Sequence, residues 1–197
     1  MIDKEFWNNR ADLGKVVGTK DLIAVELERR LIAKYVKDGM KVLDVGCGTG
    51  ETALALAKHL PELKIAGCEF AKNFLAVARE ERYKAKLVER VGFFYGDVRE
   101  AEHFIAPIEV LGQPDVVYSQ RCIQNILDWP AQKAAILNLI EILAPGGCYV
   151  MIENGMAGLE RINEIRASLK LATITPPSHN RYLLESNIED LRSTLKE

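Results

Sequence analysis

VLDVGCGTGETALALA, residues 42–57, is the stretch that decides the fold. An apolar run carries an acid, Asp44, near its end. Glycines follow at 46, 48 and 50, and an apolar pattern of helical period starts at Glu51. Glycine tolerates positive φ and has no Cβ, so the chain can turn sharply and a ligand can approach bare backbone. The helix behind such a turn offers unpaired N–H groups and the positive end of its dipole. Strand, glycine turn and helix in that order make a ligand-binding unit of an α/β sheet.

Outward from this unit the same alternation continues. Residues 19–37 carry Leu22, Ile23, Leu27, Leu31, Ile32, Tyr35 and Val36 near a 3.6-residue period, with Thr19 as N-cap and Gly39 as the stop. Lys41–Val45 reads as a buried strand and Glu51–Leu60 as a helix. Lys64–Cys68 is a strand, Ala71–Leu87 a helix, Val91–Tyr95 a strand and Ala101–Ile108 a weaker helix. Asp115–Ser119, Pro130–Leu143, Cys148–Glu153 and Leu159–Leu171 continue strand, helix, strand, helix, and Glu185–Lys196 is a last helix. Strands this apolar belong in a parallel sheet covered on both faces. The expected class is α/β: a Rossmann-like, doubly wound, mostly parallel sheet in three layers. All strand C-termini then share one edge, where open α/β sheets bind ligands. One domain over 1–197 is expected, with residues 1–38 forming helices that cap a core of 39–197.

The chain has 197 residues, 27% of them charged, with a net charge of −2. That balance gives no general attraction to a phosphate backbone, so no nucleic-acid partner is expected. No apolar run reaches the ~18 residues of a membrane span, and the first residues lack the apolar segment of a secretory signal. The expectation is a cytoplasmic protein with no membrane contact. Cys47, Cys68, Cys122 and Cys148 form no metal-ligand spacing and read as reduced, buried residues.

The ligand's charge follows from the turn. A diphosphate would meet Asp44 and Glu51 with no basic residue in the turn to offset them, and the dinucleotide spacing GxGxxG is absent. A ligand carrying an ammonium and a sulfonium finds Asp44 favourable, and its own carboxylate can use backbone donors. That describes S-adenosylmethionine better than a nicotinamide cofactor. Glu69, at the end of the second strand, suits ribose hydroxyls. Asp97 after the third suits an adenine amino group, with Val98 and Phe70 as apolar cover.

VLDVGCGTG, CEFA, GDV and LAPGG, in that order, resemble the motifs of class I S-adenosylmethionine-dependent methyltransferases, from about Phe6 to Tyr182. The resemblance implies that Asp44 and the turn Gly46, Cys47, Gly48 and Gly50 hold the methionine part, Glu69 the ribose, and Asp97 with Val98 and Phe70 the adenine. Gln120, after the fourth strand, is assigned to the same site. It further implies an N-terminal cover in which Trp7, Arg10, Gly18 and Thr19 line the pocket.

Methyl transfer from a sulfonium needs alignment and a dry site rather than a nucleophilic residue. The loop SQRCIQN lacks the Asn/Asp-Pro-Pro-aromatic signature of many amino-group methylators, which shifts weight to a hydroxyl acceptor on a sugar or metabolite. Metal-assisted transfer would want acids after strands four and five; Glu153-Asn154 is present, but Ser119 and Gln120 stand where the other acid would be. No metal is expected. His179 is the candidate general base. Arg121, Asn154, Asn180, Arg181 and Tyr182, with Trp7, are candidates for holding the acceptor.

The family resemblance also implies a further strand pair after the last helix, which this sequence lacks. A sheet without it has an open edge that favours a second copy or a partner chain. Two other readings stay open: a non-catalytic partner subunit with the same fold, and a nicotinamide-dependent oxidoreductase.

Overall fold

A computed structural model describes residues 4–10 and 21–196 of the chain. Five strands form one sheet: β1 (Lys41–Val45), β2 (Lys64–Glu69), β3 (Val91–Tyr95), β4 (Val116–Gln120) and β5 (Cys148–Ile152). They lie in the order β3-β2-β1-β4-β5, and every pairing is parallel. The order reverses at β1, between β2 and β4, which is where a doubly wound sheet opens its ligand crevice. The expected architecture is the observed one.

Strand residues alternate between two cores, as a period of two requires. Val42, Ile65, Val91, Val116, Tyr118 and Val150 face one side, against α2 (Leu22–Ala33), α3 (Glu51–His59) and α4 (Lys72–Lys84). Leu43, Val45, Ala66, Cys68 and Val117 face the other. There they meet α5 (Ile105–Leu111), α6 (Trp129–Glu141) and Leu191 of α8 (Glu185–Thr194). Helix α7 (Met156–Ser168) follows β5, and α1 (Lys4–Asn8) opens the described chain. Helix limits fall within a few residues of the periodicity. The weak helix after β3 resolves into a 3-10 turn at Ala101–Phe104 running into α5.

Helix α2 departs from its pattern. Its N-cap is Asp21, whose side chain accepts the N–H of Ala24; Thr19, expected in that role, and Gly18 lie outside the described residues. Ile32 and Val36 are buried, yet Leu22, Ile23, Leu27, Leu31 and Tyr35 are exposed. Only the C-terminal end of α2 reaches the core, while Val25 and Arg29 line the crevice. The helix therefore crosses the mouth of the site instead of lying flat on the sheet. β3 and β5 are the edge strands, and a one-residue parallel bridge, Gly155 to Leu183, lies beyond the end of β5.

Candidate functional site

The crevice at the C-terminal edge is built by local chain geometry. Gly46, Gly48 and Gly50 all have positive φ, at 70°, 54° and 76°. Two of them are demanded by packing. A Cβ on Gly46 would meet Cys122 Sγ at 2.5 Å, and one on Gly50 would meet the Phe93 ring at 2.4 Å. Gly48 differs: nothing stands within 4 Å of where its Cβ would be, and it lines the crevice. There the bare backbone is open to the crevice rather than packed against the core.

The turn uses most of its own donors. Gly46 and Cys47 both donate to Cys68 O, at 2.9 and 3.0 Å, and Gly50 donates to Cys47 O at 2.9 Å. Gly48 donates to Glu69 Oε2 at 3.0 Å, and Ala71 donates to Glu69 Oε1 at 2.8 Å. A carboxylate accepts about two bonds at each oxygen, so Glu69 keeps capacity for hydroxyls. Burial raises its carboxyl against these two amides, which pull it back down.

Asp44 is nearly inaccessible (3% exposed) and takes a hydrogen bond from the Tyr118 hydroxyl at 2.6 Å. Burial pushes its carboxyl up to about 7, the hydrogen bond opposes this, and the charge of Glu69 adds to it. Asp97, also buried, is gripped by its neighbour Arg99, whose Nε donates to Oδ1 at 2.8 Å. Phe70 and Val98 complete the wall, with Phe74 beside them. Acids from three successive strand ends thus share one crevice, as the strand pattern anticipated.

Gln120 lines the crevice with its carboxamide committed: Oε1 accepts from Thr52 Oγ1 at 2.9 Å, and Nε2 donates to Glu28 on α2. Arg121 follows at φ 54°, an uncommon conformation for a bulky side chain, and pairs with Glu28 at 3.3 Å. These contacts bind α2 across the mouth. Arg29 of α2 also enters, lying 3.8 Å from Glu51. Its Nε is buried and has no hydrogen-bond partner among the described residues. Arg29 was not legible in the sequence, where it reads as one more charge on a solvated helix face.

The substrate assignments fare differently. Trp7 lines the crevice, packed edge-on to Phe6. Arg10 lies over the rings of both, outside the lining. His179 does not line it either: its ring sits 5.0 Å from Phe6 and 5.8 Å from Trp7, so it backs the aromatic wall. Burial and Arg10 hold its imidazole below the ordinary histidine range. Arg181 turns inward, donating to Gln132 Oε1 at 2.7 Å and Asn187 Oδ1 at 3.1 Å, so it is a structural clamp onto α6 and α8. Asn154, Asn180 and Tyr182 likewise stand outside the lining; the Asn154 N–H donates to Gln124 Oε1. A loop placed at the expected edge by topology still leaves the crevice when a side chain such as Arg181 finds its partners in the body.

Glu153 also turns inward. Its Oε1 accepts the N–H groups of Cys122 and Ile123 at 3.1 and 3.0 Å, and Oε2 accepts that of Gln124 at 3.1 Å. Ser119 Oγ adds a fourth bond at 3.0 Å. The loop after β4, which walls the crevice through Arg121, Cys122, Asn125 and Ile126, is shaped by this one half-buried residue.

A family profile described as "Methyltransferase domain" matches residues 42–147, more than half of the chain. A demethylmenaquinone methyltransferase of Staphylococcus aureus (strain MRSA252) is 31% identical over 133 residues, which is 67% of this chain and 50% of that protein. The chain spans about half the length of the curated relatives it matches. Among solved structures, magnesium protoporphyrin IX methyltransferase from Synechocystis PCC 6803, with bound SAH, superposes with a TM-score of 0.61. It is 15% identical, over 86% of this chain and 69% of that one. An O-methyltransferase family protein from Burkholderia thailandensis gives 0.63 at 16% identity, over 98% and 54%. The glycine turn and the acids Asp44 and Glu69 lie within the matched span, and the sheet carries the same fold. The chain belongs to the methyltransferase domain family, in its class I S-adenosylmethionine-dependent branch.

Proposed function

We propose that the crevice binds S-adenosylmethionine and that the chain transfers its methyl group to a hydroxyl of a small molecule. The observation that carries the reading is the convergence of Asp44, Glu69 and Asp97 on one crevice beside the open face of Gly48. When bound, the cofactor would supply an activated methyl group on sulfur and leave as S-adenosylhomocysteine, the acceptor hydroxyl would release its proton to solvent, and the chain's own contribution is alignment.

Asp44 accepts the ligand ammonium. The ligand carboxylate goes to Arg29, because Gly46, Cys47, Gly48 and Gly50 have spent their amides on Cys68, Glu69 and Cys47. A guanidinium with a buried, unpartnered Nε is the complementary group. Glu69 holds the ribose, and Phe70 with Val98 covers the adenine beside the Asp97–Arg99 pair. Trp7 closes the far side, and His179 holds it there by packing on Phe6 and Trp7. The acceptor enters beneath α2, between Trp7 and the Arg121–Glu28 pair. Support for an oxygen acceptor rests on the β4 loop, whose SQRCIQN lacks the amino-methylating signature.

Calorimetric titration with S-adenosylmethionine, S-adenosylhomocysteine and NAD tests the first half. Binding of the first two without NAD is expected; binding of NAD alone would overturn the reading. A screen of hydroxylated and aminated acceptors for S-adenosylhomocysteine formation tests the second half.

A further inference from the structure

Asp44 and Tyr118 are register partners on the adjacent parallel strands β1 and β4, and their side chains emerge on the same face. Tyr118 is fully buried and does not line the crevice; Asp44 does. A tyrosine in this core brings its hydroxyl to one target, Asp44 Oδ2, at 2.6 Å. Packing alone would be met by phenylalanine, and a buried tyrosine hydroxyl needs a partner.

We propose that Tyr118 is a positioning residue for cofactor binding: its hydroxyl occupies Asp44 Oδ2, which favours the charged carboxylate and fixes it, leaving Oδ1 for the ligand ammonium. The inference rests on the reading of the crevice as an S-adenosylmethionine site.

The surroundings make this hydrogen bond decisive. Glu69 on β2 faces Asp44 and disfavours its charge. The thiols of Cys47, Cys68 and Cys122, each held neutral by burial, feel the same acid. Arg29 on α2 acts on the Tyr118 side of the pair. With the Asp44 carboxyl near 7, a single donor sets whether it is charged at neutral pH. A fold that buries its ligand-binding acid for a dry site thereby needs a buried donor to preserve the charge.

The experiment is titration of S-adenosylhomocysteine into the wild-type chain and Tyr118→Phe between pH 5.5 and 8.5. Wild-type affinity is expected to fall on acidification through about pH 7. In Tyr118→Phe the midpoint moves up by about one pH unit, the size of a lost hydrogen bond to a charged group, and affinity recovers towards wild type at pH 8.5. Asp44→Asn flattens the profile in both backgrounds.

An affinity loss in Tyr118→Phe that is uniform across pH, tracking a lower melting temperature, would assign the residue to packing and overturn the inference. So would an unchanged midpoint, or a wild-type profile with no pH dependence; in all three the cofactor reading survives. A wild-type chain that binds no S-adenosylhomocysteine at any pH would overturn the cofactor reading and this inference together.

Discussion

The Glu69 carboxylate accepts the backbone N–H of Gly48 at 3.0 Å, so the end of β2 braces the turn that follows β1. The turn geometry and the proposed ribose contact therefore rest on one side chain. Glu69→Ala is expected to weaken S-adenosylhomocysteine binding by at least ~1.5 kcal/mol, the scale of a hydrogen bond to a charged group. It should also lower the melting temperature, because the Gly48 and Ala71 amides lose their partner. Titration calorimetry and thermal unfolding of the variant give both numbers; unchanged affinity would remove Glu69 from the site.

Arg29 is separable by ligand choice. Arg29→Ala should weaken S-adenosylmethionine and S-adenosylhomocysteine alike, by roughly 1.5–3 kcal/mol for a charge-assisted bond. Binding of 5′-methylthioadenosine, which has no carboxylate, should be unaffected. Equal losses for all three ligands would mean that Arg29 acts by docking α2, through Glu51, and not on the ligand.

Asp44, the acid proposed to hold the ligand ammonium, costs the folded chain stability at neutral pH. The Asp44 carboxyl rises to about 7 in the folded chain, above its ordinary value. The folded chain therefore holds this proton more tightly than the unfolded one; the stabilising contribution is fully present below the ordinary carboxylate range and is lost as pH rises from there through about 7. Asp44→Asn should thus leave ligand-free stability near wild type at pH 3 and raise it at pH 8, by about 2 kcal/mol or more. Denaturant unfolding at the two pH values measures the difference; a variant destabilised at pH 8 would contradict it.

Glu153 organises the crevice from behind. Glutamine in its place has one accepting oxygen and turns donors towards amides, so the loop of Cys122, Ile123 and Gln124 loses part of its anchor. Glu153→Gln is expected to cost roughly 1–3 kcal/mol of stability and to weaken cofactor binding without touching the ligand. Hydrogen exchange of the Ile123 and Gln124 amides would report the loosened loop directly.

The wall of Phe6, Trp7 and His179 gives a last test. His179→Phe keeps the ring packing and should retain cofactor affinity and turnover, while His179→Ala loses affinity as the Trp7 wall loosens. Abolished turnover in both variants with cofactor affinity intact would restore His179 to a catalytic role.

What could be read from the sequence was what local chemistry dictates. The positive φ values at 46, 48 and 50 follow from glycine in a strand-to-helix turn, and apolar strands between helical periods imply a doubly wound sheet. Asp44, Glu69 and Asp97 were legible for the same reason: in such a sheet every strand end lies on one edge. The grip of Arg99 on Asp97, two residues away, was also local and could have been read. Arg29 could not, since a charge on an amphipathic helix reads as solvated until the helix is known to cross the mouth of a crevice.

Composition and spacing, then, determined the sheet, its functional edge and the three acids. Tertiary structure alone decided which polar groups remain available for chemistry. Arg181 and Glu153 have the residue types of a site and are consumed by Gln132, Asn187 and the β4 loop amides. Tyr118 reads as plain core and is bonded to Asp44. A buried polar group must find a partner wherever packing puts it, and that partner is fixed by contacts between residues distant in the chain.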